Sequence, residues 1–334
     1  MTVRVPKELV ERDPEILAPA AGLTYLSDDE PGIGRRRRGE GFSYTDAFGE
    51  SVSDDERERI ESLAIPPAWE DVWISPDASS YLQASGTDDA GRKQYRYHDG
   101  FREFCEQRKF ERLSYFGRAI VEIRKAVDDA LEKPVGDRDH AVAAAIRLID
   151  VSLLRVGNRG SAEKGHYGAT TLTIDHVSDD EHVQLEYTAK SGKERTIVIV
   201  DEELADILTE LAADSDDQLF WFDDADGEPR RATASDINDF IAEHGGHAFS
   251  ARDFRTWGGS RSALEARAEG EAVLAAVDCA AEELGNTRAV ARSSYIHPVV
   301  LDSDDEAIAD AWAGSRSSKW LDRSESALVK LLDD

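Results

Sequence analysis

The sequence predicts a mixed α+β chain: a small β-rich N-terminal domain over residues 1–98, then a larger, mainly α-helical domain over residues 99–334 that holds a short three-stranded antiparallel sheet. Three observations carry this. Residues 1–98 are rich in Gly, Pro, Asp and Ser, and their apolar runs are short. From about Phe101 the apolar spacing becomes helical. Between residues 170 and 200, β-branched or alternating runs interrupt the helical pattern.

Within the first region, Asp54 to Leu63 reads as one short helix. The run Ile65-Pro66-Pro67-Ala68-Trp69 stops any continuation, because paired prolines remove donors and hold the chain extended. Val72 to Ser75 and Ser80 to Ala84 read as strands. Phe101 to Leu131 fits one or two helices. Arg138 to Leu154 fits another, with Val142, Ile146, Ile149 and Leu153 along one face and Gly157 as its stop. Thr170 to Ile174, Val183 to Ala189 and Arg195 to Val200 read as the three strands, the last two joined by the hairpin-like Lys190-Ser191-Gly192-Lys193-Glu194. Helices return at Glu202–Ala213, Ser235–Glu243, Ala251–Arg267 and Glu269–Glu283, with a last pair near 303–312 and 319–332. Asp223 to Gly227 hints at a calcium loop. Counting back from Gly227 puts Phe222 at the first ligand position and Thr233 at the last, so the segment reads as a turn.

Charge narrows the class. The 334 residues carry 69 Asp and Glu against 40 Lys and Arg, a net of −29, and the cations divide into 30 Arg and 10 Lys. An acidic, lysine-poor surface fits a protein from an extreme halophile, where carboxylates keep the surface hydrated and salt screens their repulsion. No run of 18 apolar residues predicts a membrane span, and Arg4, Glu8, Glu11, Asp13 and Glu15 interrupt any leader-like stretch. Two cysteines, Cys105 and Cys279, provide neither a disulfide framework nor a four-cysteine metal site, so a reducing interior is expected. No zinc signature, phosphate-binding glycine loop, nucleophile elbow or dinucleotide fingerprint appears.

The cations are not spread evenly. Residues 92–125 hold ten cations and five acids, a net of +5 inside a chain whose remainder is −34. Arg35 to Arg38 form a second basic cluster, and Thr287 to Val300 carries Arg288 and Arg292 with no acid. Basic islands kept in an acidic chain point to a polyanion-facing surface.

Four local patterns surround cations and one tyrosine: Leu153-Leu154-Arg155-Val156-Gly157-Asn158; the Lys190 hairpin; Phe249-Ser250-Ala251-Arg252-Asp253-Phe254-Arg255-Thr256-Trp257; and Leu284-Gly285-Asn286-Thr287, followed by Tyr295 in Ser294-Tyr295-Ile296-His297-Pro298. In this order they resemble the reactive set of type IB DNA topoisomerases and tyrosine recombinases. Gly91-Arg92-Lys93-Gln94-Tyr95-Arg96-Tyr97-His98, Ile65 to Ile74 and Thr170-Thr171-Leu172 resemble blocks of the small topoisomerase branch of bacteria and poxviruses. The likeness runs from about Gly32 to Val300. Three positions depart from the pattern: Asn286 stands where His is frequent, Arg252 where Lys is usual, and Ala189 where Gly usually precedes the lysine.

The resemblance implies the catalytic fold shared by those two families over 99–334 and a DNA-clamp role for 1–98. It implies relaxation of supercoiled duplex DNA through a 3′-phosphotyrosyl intermediate, without ATP, metal or other cofactor. Tyr295 would be the nucleophile, Arg155 and Arg255 would hold the non-bridging phosphate oxygens, Asn286 would donate one more hydrogen bond, and Lys190 would protonate the leaving 5′-oxygen. These types suit the chemistry. Guanidinium is planar, always charged and bidentate, and a cationic pocket favours phenolate. Arg92, Lys93, Gln94, Tyr95, Arg96, Lys193, Arg252 and Arg292 are the expected duplex contacts. The expected partner is double-stranded DNA, the expected state a monomer, and the expected place the cytoplasm, at the nucleoid. A tyrosine recombinase using the same chemistry is the alternative, though its N-terminal domain would be a helical bundle. A non-catalytic DNA-binding protein with this fold is disfavoured, since all five reactive positions hold competent residues.

Overall fold

The computed structural model describes residues 2–179, 182–189, 192–215 and 217–333. The chain forms two compact units, one of residues 6–109 and one of residues 110–334 joined by residues 1–5.

The first unit begins with α1 (Lys7–Val10) and α2 (Pro14–Ala20) and is built on a five-stranded antiparallel sheet. Its strands are β1 (Ile33–Arg38), β2 (Gly41–Thr45), β3 (Glu70–Ile74), β4 (Leu82–Thr87) and β5 (Lys93–Tyr97), in the spatial order β2-β1-β3-β4-β5. The helix α3 (Asp54–Ser62), capped by Ser53 accepting from the Glu56 amide at 3.2 Å, lies between β2 and β3 in sequence. One sheet face buries Ile33, Tyr44, Val72, Ile74 and Ala84 with Ile60. Leu17, Ala18, Tyr81, Leu82 and Phe101 form a second core, with Trp73, Phe104 and Cys105 packed on it. Phe101 lies on α4 (Asp99–Glu111), so the first turns of this helix belong to the sheet unit, past residue 98 where the sequence becomes helical. Arg108 on α4 donates to the carbonyls of Glu8 and Glu11.

In the second unit, α5 (Leu113–Leu131) presents Leu113, Phe116, Ile120, Ile123 and Val127 as one buried stripe. Next come α6 (Arg138–Ser152) and α7 (Arg159–Ala162). The three-stranded antiparallel sheet is β6 (Val177–Asp179), β7 (Val183–Ala189) and β8 (Lys193–Val198). After it come α8 (Glu202–Ala213), the hairpin of β9 (Trp221–Asp223) and β10 (Pro229–Arg231), and α9 (Ala234–Gly245). The C-terminal half holds α10 (Ala251–Ala268), α11 (Val273–Leu284), α12 (Arg288–Ser294), α13 (Pro298–Asp302), α14 (Asp305–Ala313) and α15 (Arg323–Asp333). Phe116 meets Phe249, Phe254 and Trp257 edge-on. The Trp257 indole donates to Glu325, which pairs with Arg124 at 2.7 Å, and Arg124 also pairs with Asp150 at 2.7 Å. That network ties α5, α6, α10 and α15 together.

Several expectations are corrected. Thr170 to Ile174 is not a strand. Ala169–Thr171 and Ile174–His176 are short 3₁₀ turns, because the Thr171 hydroxyl bonds to the Gly168 carbonyl and amide and the His176 ring accepts from the Thr173 amide. The first strand of that sheet is β6. α6 stops at Leu153, held in the left-handed region (φ 53), and not at Gly157. α11 starts four residues after Glu269, because Gly270 (φ +94) closes α10 and Ala272 begins the next helix extended. In the basic run 92–125, Arg108, Lys109 and Arg124 hold the chain to itself and do not present charge to a partner.

Candidate active site

Small residues on α10 seat the parts around it. A Cβ at Gly258 would overlap the Leu153 side chain at 2.2 Å, and one at Gly259 would meet the Tyr295 carbonyl at 2.7 Å. Ser260 donates to the Tyr295 carbonyl at 3.4 Å and accepts from the His297 amide at 2.9 Å. Tyr295 follows the last turn of α12, its amide bonded to the Ala291 carbonyl.

Arg155 sits three residues past the end of α6. Its backbone is clamped: the Ala169 amide donates to the Arg155 carbonyl and the Thr170 amide to Val156, both at 2.8 Å. Gly157 (φ +87) and Gly168 touch closely there; a Cβ at Gly168 would lie 2.5 Å from the Arg155 carbonyl oxygen. The 3₁₀ turns that replace the expected strand thus fix this arginine.

Arg255 is buried on α10. It donates to the Leu153 carbonyl, which the left-handed turn aims at it, and to the Leu284 carbonyl at 3.0 Å. Its guanidinium lies 4.9 Å from the centre of the Tyr295 ring. Burial, with the Arg155 charge beside it, lowers its pKa to about 10. At Tyr295, burial pushes the phenol up, but the Arg255 charge and hydrogen bond, with Arg252 and Arg155, outweigh it, and the net shift is downward from 10.0.

Asn286 is placed by the end of α11. Gly285 takes the left-handed conformation (φ +62), and the Asn286 amide closes back on the Ala281 carbonyl at 2.9 Å. The Asn286 side-chain carbonyl accepts from Arg155 at 2.5 Å. Among the described residues, its Nδ2 and the Arg255 Nε are buried donors without a hydrogen-bond partner. Buried donors are normally satisfied. These two orphaned donors, one on the Arg255 guanidinium, with the Arg155 guanidinium beside them, describe a site shaped for an anion.

The structure therefore brings Arg155, Arg255, Asn286 and Tyr295 together. Lys190 lies outside the described residues. Lys193 opens β8 and is exposed; Arg252, in the first turn of α10, and Arg292, on α12, are exposed as well. Arg92, Lys93, Gln94, Tyr95 and Arg96 lie on or beside β5 in the first unit. Arg92 pairs with Asp88 at 2.7 Å and Lys93 with Asp28 at 2.8 Å; Gln94 donates to Asp88 at 2.9 Å and Arg96 to the Ala64 carbonyl at 2.8 Å. Tyr95 stacks on Tyr97 and is exposed.

Sequence reasoning missed Arg195. On β8, it donates to the Glu283 carbonyl at 3.2 Å and crosses Gly285 so closely that a Cβ there would sit 1.8 Å from its Nη1. With Arg155, Arg255, Tyr187 and Leu284 it lines one small cleft. Tyr187, which lines that cleft together with Tyr167, is buried, and burial raises its pKa above the ordinary value. The legible signals were Gly258-Gly259 inside a helix and Gly285 before Asn286, each a mark of close approach.

Residues 98–311 match the family model of the eukaryotic DNA topoisomerase I catalytic core, and residues 41–88 match that of the bacterial DNA topoisomerase IB N-terminal domain. The DNA topoisomerase 1B of Acanthamoeba polyphaga mimivirus is 30% identical over 291 residues, covering 81% of this chain and 87% of its own. Among solved structures, the XerH site-specific recombinase bound to difH substrate in a pre-cleavage complex is 14% identical, with a TM-score of 0.35 over 58% of this chain and 52% of its own, a likeness too slight to bear on the reading. Among the described residues no helix is long and apolar enough to cross a membrane.

Proposed function

The chain belongs to the type IB DNA topoisomerase family, and on that premise we propose that it relaxes supercoiled duplex DNA with Tyr295 as the nucleophile. The Tyr295 oxygen attacks a backbone phosphorus. The Oη–P bond forms, the bond from phosphorus to the 5′-oxygen breaks, and a 3′-phosphotyrosyl link holds the cut strand while the free end rotates. The phenol proton leaves to solvent, and Lys190 supplies the proton taken by the 5′-oxygen. Religation reverses both transfers, so the phosphodiester energy is conserved and no ATP is consumed.

Arg155 and Arg255 hold the two non-bridging oxygens as charge builds on them, and Asn286 turns its unpartnered Nδ2 to the same group. Aimed donors of this kind contribute ~3–4 kcal/mol each in a dry site. The carrying observation is the Tyr295 phenol lying against the buried Arg255, with Arg155 bonded to Asn286 beside it. Residues 1–98 act as a clamp on the duplex, with Arg92, Lys93, Gln94, Tyr95 and Arg96 touching it there and Lys193, Arg252 and Arg292 touching it from the catalytic domain. The enzyme works as a monomer in the cytoplasm, at the nucleoid. The net charge of −29 supports folding in high salt, so thermal stability should peak at higher KCl than relaxation does; coincident optima would overturn the halophilic reading.

The test of the reaction is Tyr295→Phe, which keeps the ring and removes only the hydroxyl. Duplex binding persists, while the covalent adduct and plasmid relaxation vanish. An adduct that still formed would move the nucleophile to another tyrosine, with Tyr187 the first to examine.

A further inference from the structure

Four consecutive arginines, Arg35 to Arg38, make up most of β1, and nothing in the reaction above uses them. The register divides them into two pairs. Arg35 faces Tyr44 and Arg37 faces Phe42 across the hairpin, which puts both on the side of Ile33 and the sheet's buried core. Arg35 donates to the carbonyls of Ile65, Pro66 and Trp69 at 3.2, 3.0 and 2.7 Å and lies 4.2 Å above the Phe42 ring; Arg37 lies over the same ring at 5.3 Å. These two hold the proline-rich segment and cover the aromatic edge of the core.

Arg36 and Arg38 point the other way, opposite Ser43 and Gly41. β1 leaves β3 after Gly34, so this stretch pairs with β2 alone and stands clear as a two-stranded hairpin. Both arginines are exposed, and among the described residues no carboxylate lies within ion-pair distance of either. Glu40, in the turn, is the one acid between residues 33 and 45. The row Gly34–Trp73–Ser85–Tyr95 runs straight across four strands, so Arg36 shares its sheet face with Tyr95 and Lys93. The β5 cation of that face, Lys93, is already neutralised by Asp28.

Adjacent unpaired guanidiniums repel one another, and in a chain this rich in carboxylates their isolation needs an external anion to make sense. We propose that Arg36 and Arg38 bind two phosphates of the duplex backbone and supply the main uncompensated positive charge of this sheet face. Alternate residues of a strand lie ~7 Å apart, which lets two guanidiniums on one face reach two different phosphates. The binding is sequence-independent. It deepens the topoisomerase reading, from which it takes duplex DNA as the anion.

The experiment measures equilibrium binding of a labelled duplex against KCl by the full-length chain carrying Tyr295→Phe. Arg36→Glu with Arg38→Glu should lower the log–log salt slope by ~2, roughly 0.9 for each phosphate no longer neutralised, and weaken binding most at low salt. Arg12→Glu with Arg57→Glu, an equal change of charge elsewhere on the unit, should leave the slope unchanged. Arg36→Lys with Arg38→Lys should restore it, which separates removal of the positive charge from misfolding. Equal slopes in the hairpin and control variants would overturn the proposal, as would failure of the lysine pair to restore the slope of a chain that melts normally. Failure of the topoisomerase reading registers separately, as absence of a covalent adduct from the chain with Tyr295 intact.

Discussion

Two cation-bearing regions of the molecule treat their charge in opposite ways. At the start of β5, Lys93 and the preceding Arg92 each face a carboxylate within 2.8 Å. In the cleft of the helical unit, Arg155, Arg195 and Arg255 face carbonyls, an amide and one another, and among the described residues no carboxylate lies within ion-pair distance of any of them. Burial, with the Arg155 charge added to it, brings Arg255 down to about 10. A surface that only attracts a polyanion can keep its cations paired and exchange partners on contact. A site that must meet developing charge at the moment of reaction holds its cations unneutralised and fixed beforehand.

The sharpest way to break that contrast is Arg255→Ala. Loss of one aimed donor lowers single-turnover cleavage by ~10²–10³-fold. The carbonyls of Leu153 and Leu284 also lose their donor, costing about 1–3 kcal/mol of stability. Arg255→Gln separates the two effects. Arg255 is the largest influence holding the Tyr295 phenol below its ordinary value, so its removal moves that titration upward, and the limb on which the cleavage rate rises with pH moves to higher pH. Carbon-13 NMR of labelled tyrosines reads the shift directly. A phenol that titrates unchanged in Arg255→Gln would separate Tyr295 from this cation and undo the contrast.

Of comparable size is Lys190→Ala, expected to slow cleavage by ~10²–10⁴-fold, as for a lost general acid. A substrate with sulfur at the 5′-bridging position recovers most of that rate, because a thiolate leaves without a proton. Lys193→Ala should instead weaken binding and make the salt slope shallower by about one phosphate. Sulfur rescue in Lys193→Ala, and not in Lys190→Ala, would reverse the two assignments.

How much of this was legible from sequence follows the same division. Periodicity located α5, α6, α8 and α10 closely, because each buries a continuous apolar face. It failed for β1, β2 and β5, whose residues are mostly Arg, Gly, Lys and Tyr with only Ile33 and Tyr44 buried, so no alternation of apolar residues marks them. It also failed at Thr170 to Ile174, where β-branched composition yields to hydroxyl and imidazole bonds that close short turns. The residues proposed for the reaction came from order and resemblance. What sequence did not disclose was the support beneath them. Leu153 enters a left-handed conformation that a branched aliphatic rarely adopts, and Arg195 reaches the site only because a strand and a helix end happen to meet over Gly285. Meetings of distant segments leave no periodic trace.

Gly285→Ala tests that support with a smaller expected effect. The added methyl group meets Arg195 and must adopt a positive φ, so stability falls by about 1–2 kcal/mol. If Arg195 and the Gly285 turn hold Asn286 in place, cleavage drops by roughly a factor of ten, with duplex affinity preserved. Gly285→Ala with Arg195→Ala should recover part of the stability but not the rate. Full recovery of cleavage in the double variant would mean that Arg195 only fills space.

The smallest effect concerns the paired side of the contrast. Asp28→Asn removes the carboxylate that neutralises Lys93 while keeping a side chain of the same shape. The Asp28 carboxyl is held below its ordinary value because the Lys93 and Ser85 hydrogen bonds outweigh the effect of burial, so the wild-type pair is fully ionised near neutrality. Surface pairs of this kind contribute ~0–1 kcal/mol, and the fold should tolerate the change. Freed from its partner, Lys93 becomes available to a phosphate. Duplex affinity at low salt should rise two- to threefold, and the salt slope should steepen by up to about one phosphate. The same substitution leaves the Arg155–Arg255 cleft untouched, so the rate of the chemical step at saturating DNA measures the two regions independently. Weaker binding in Asp28→Asn, with the melting temperature unchanged, would show that the Asp28–Lys93 pair presents the cation to DNA and does not mask it. The β5 face would then be preorganised in its paired state, and the difference between the two regions would lie in what fixes the cation and not in whether it is neutralised.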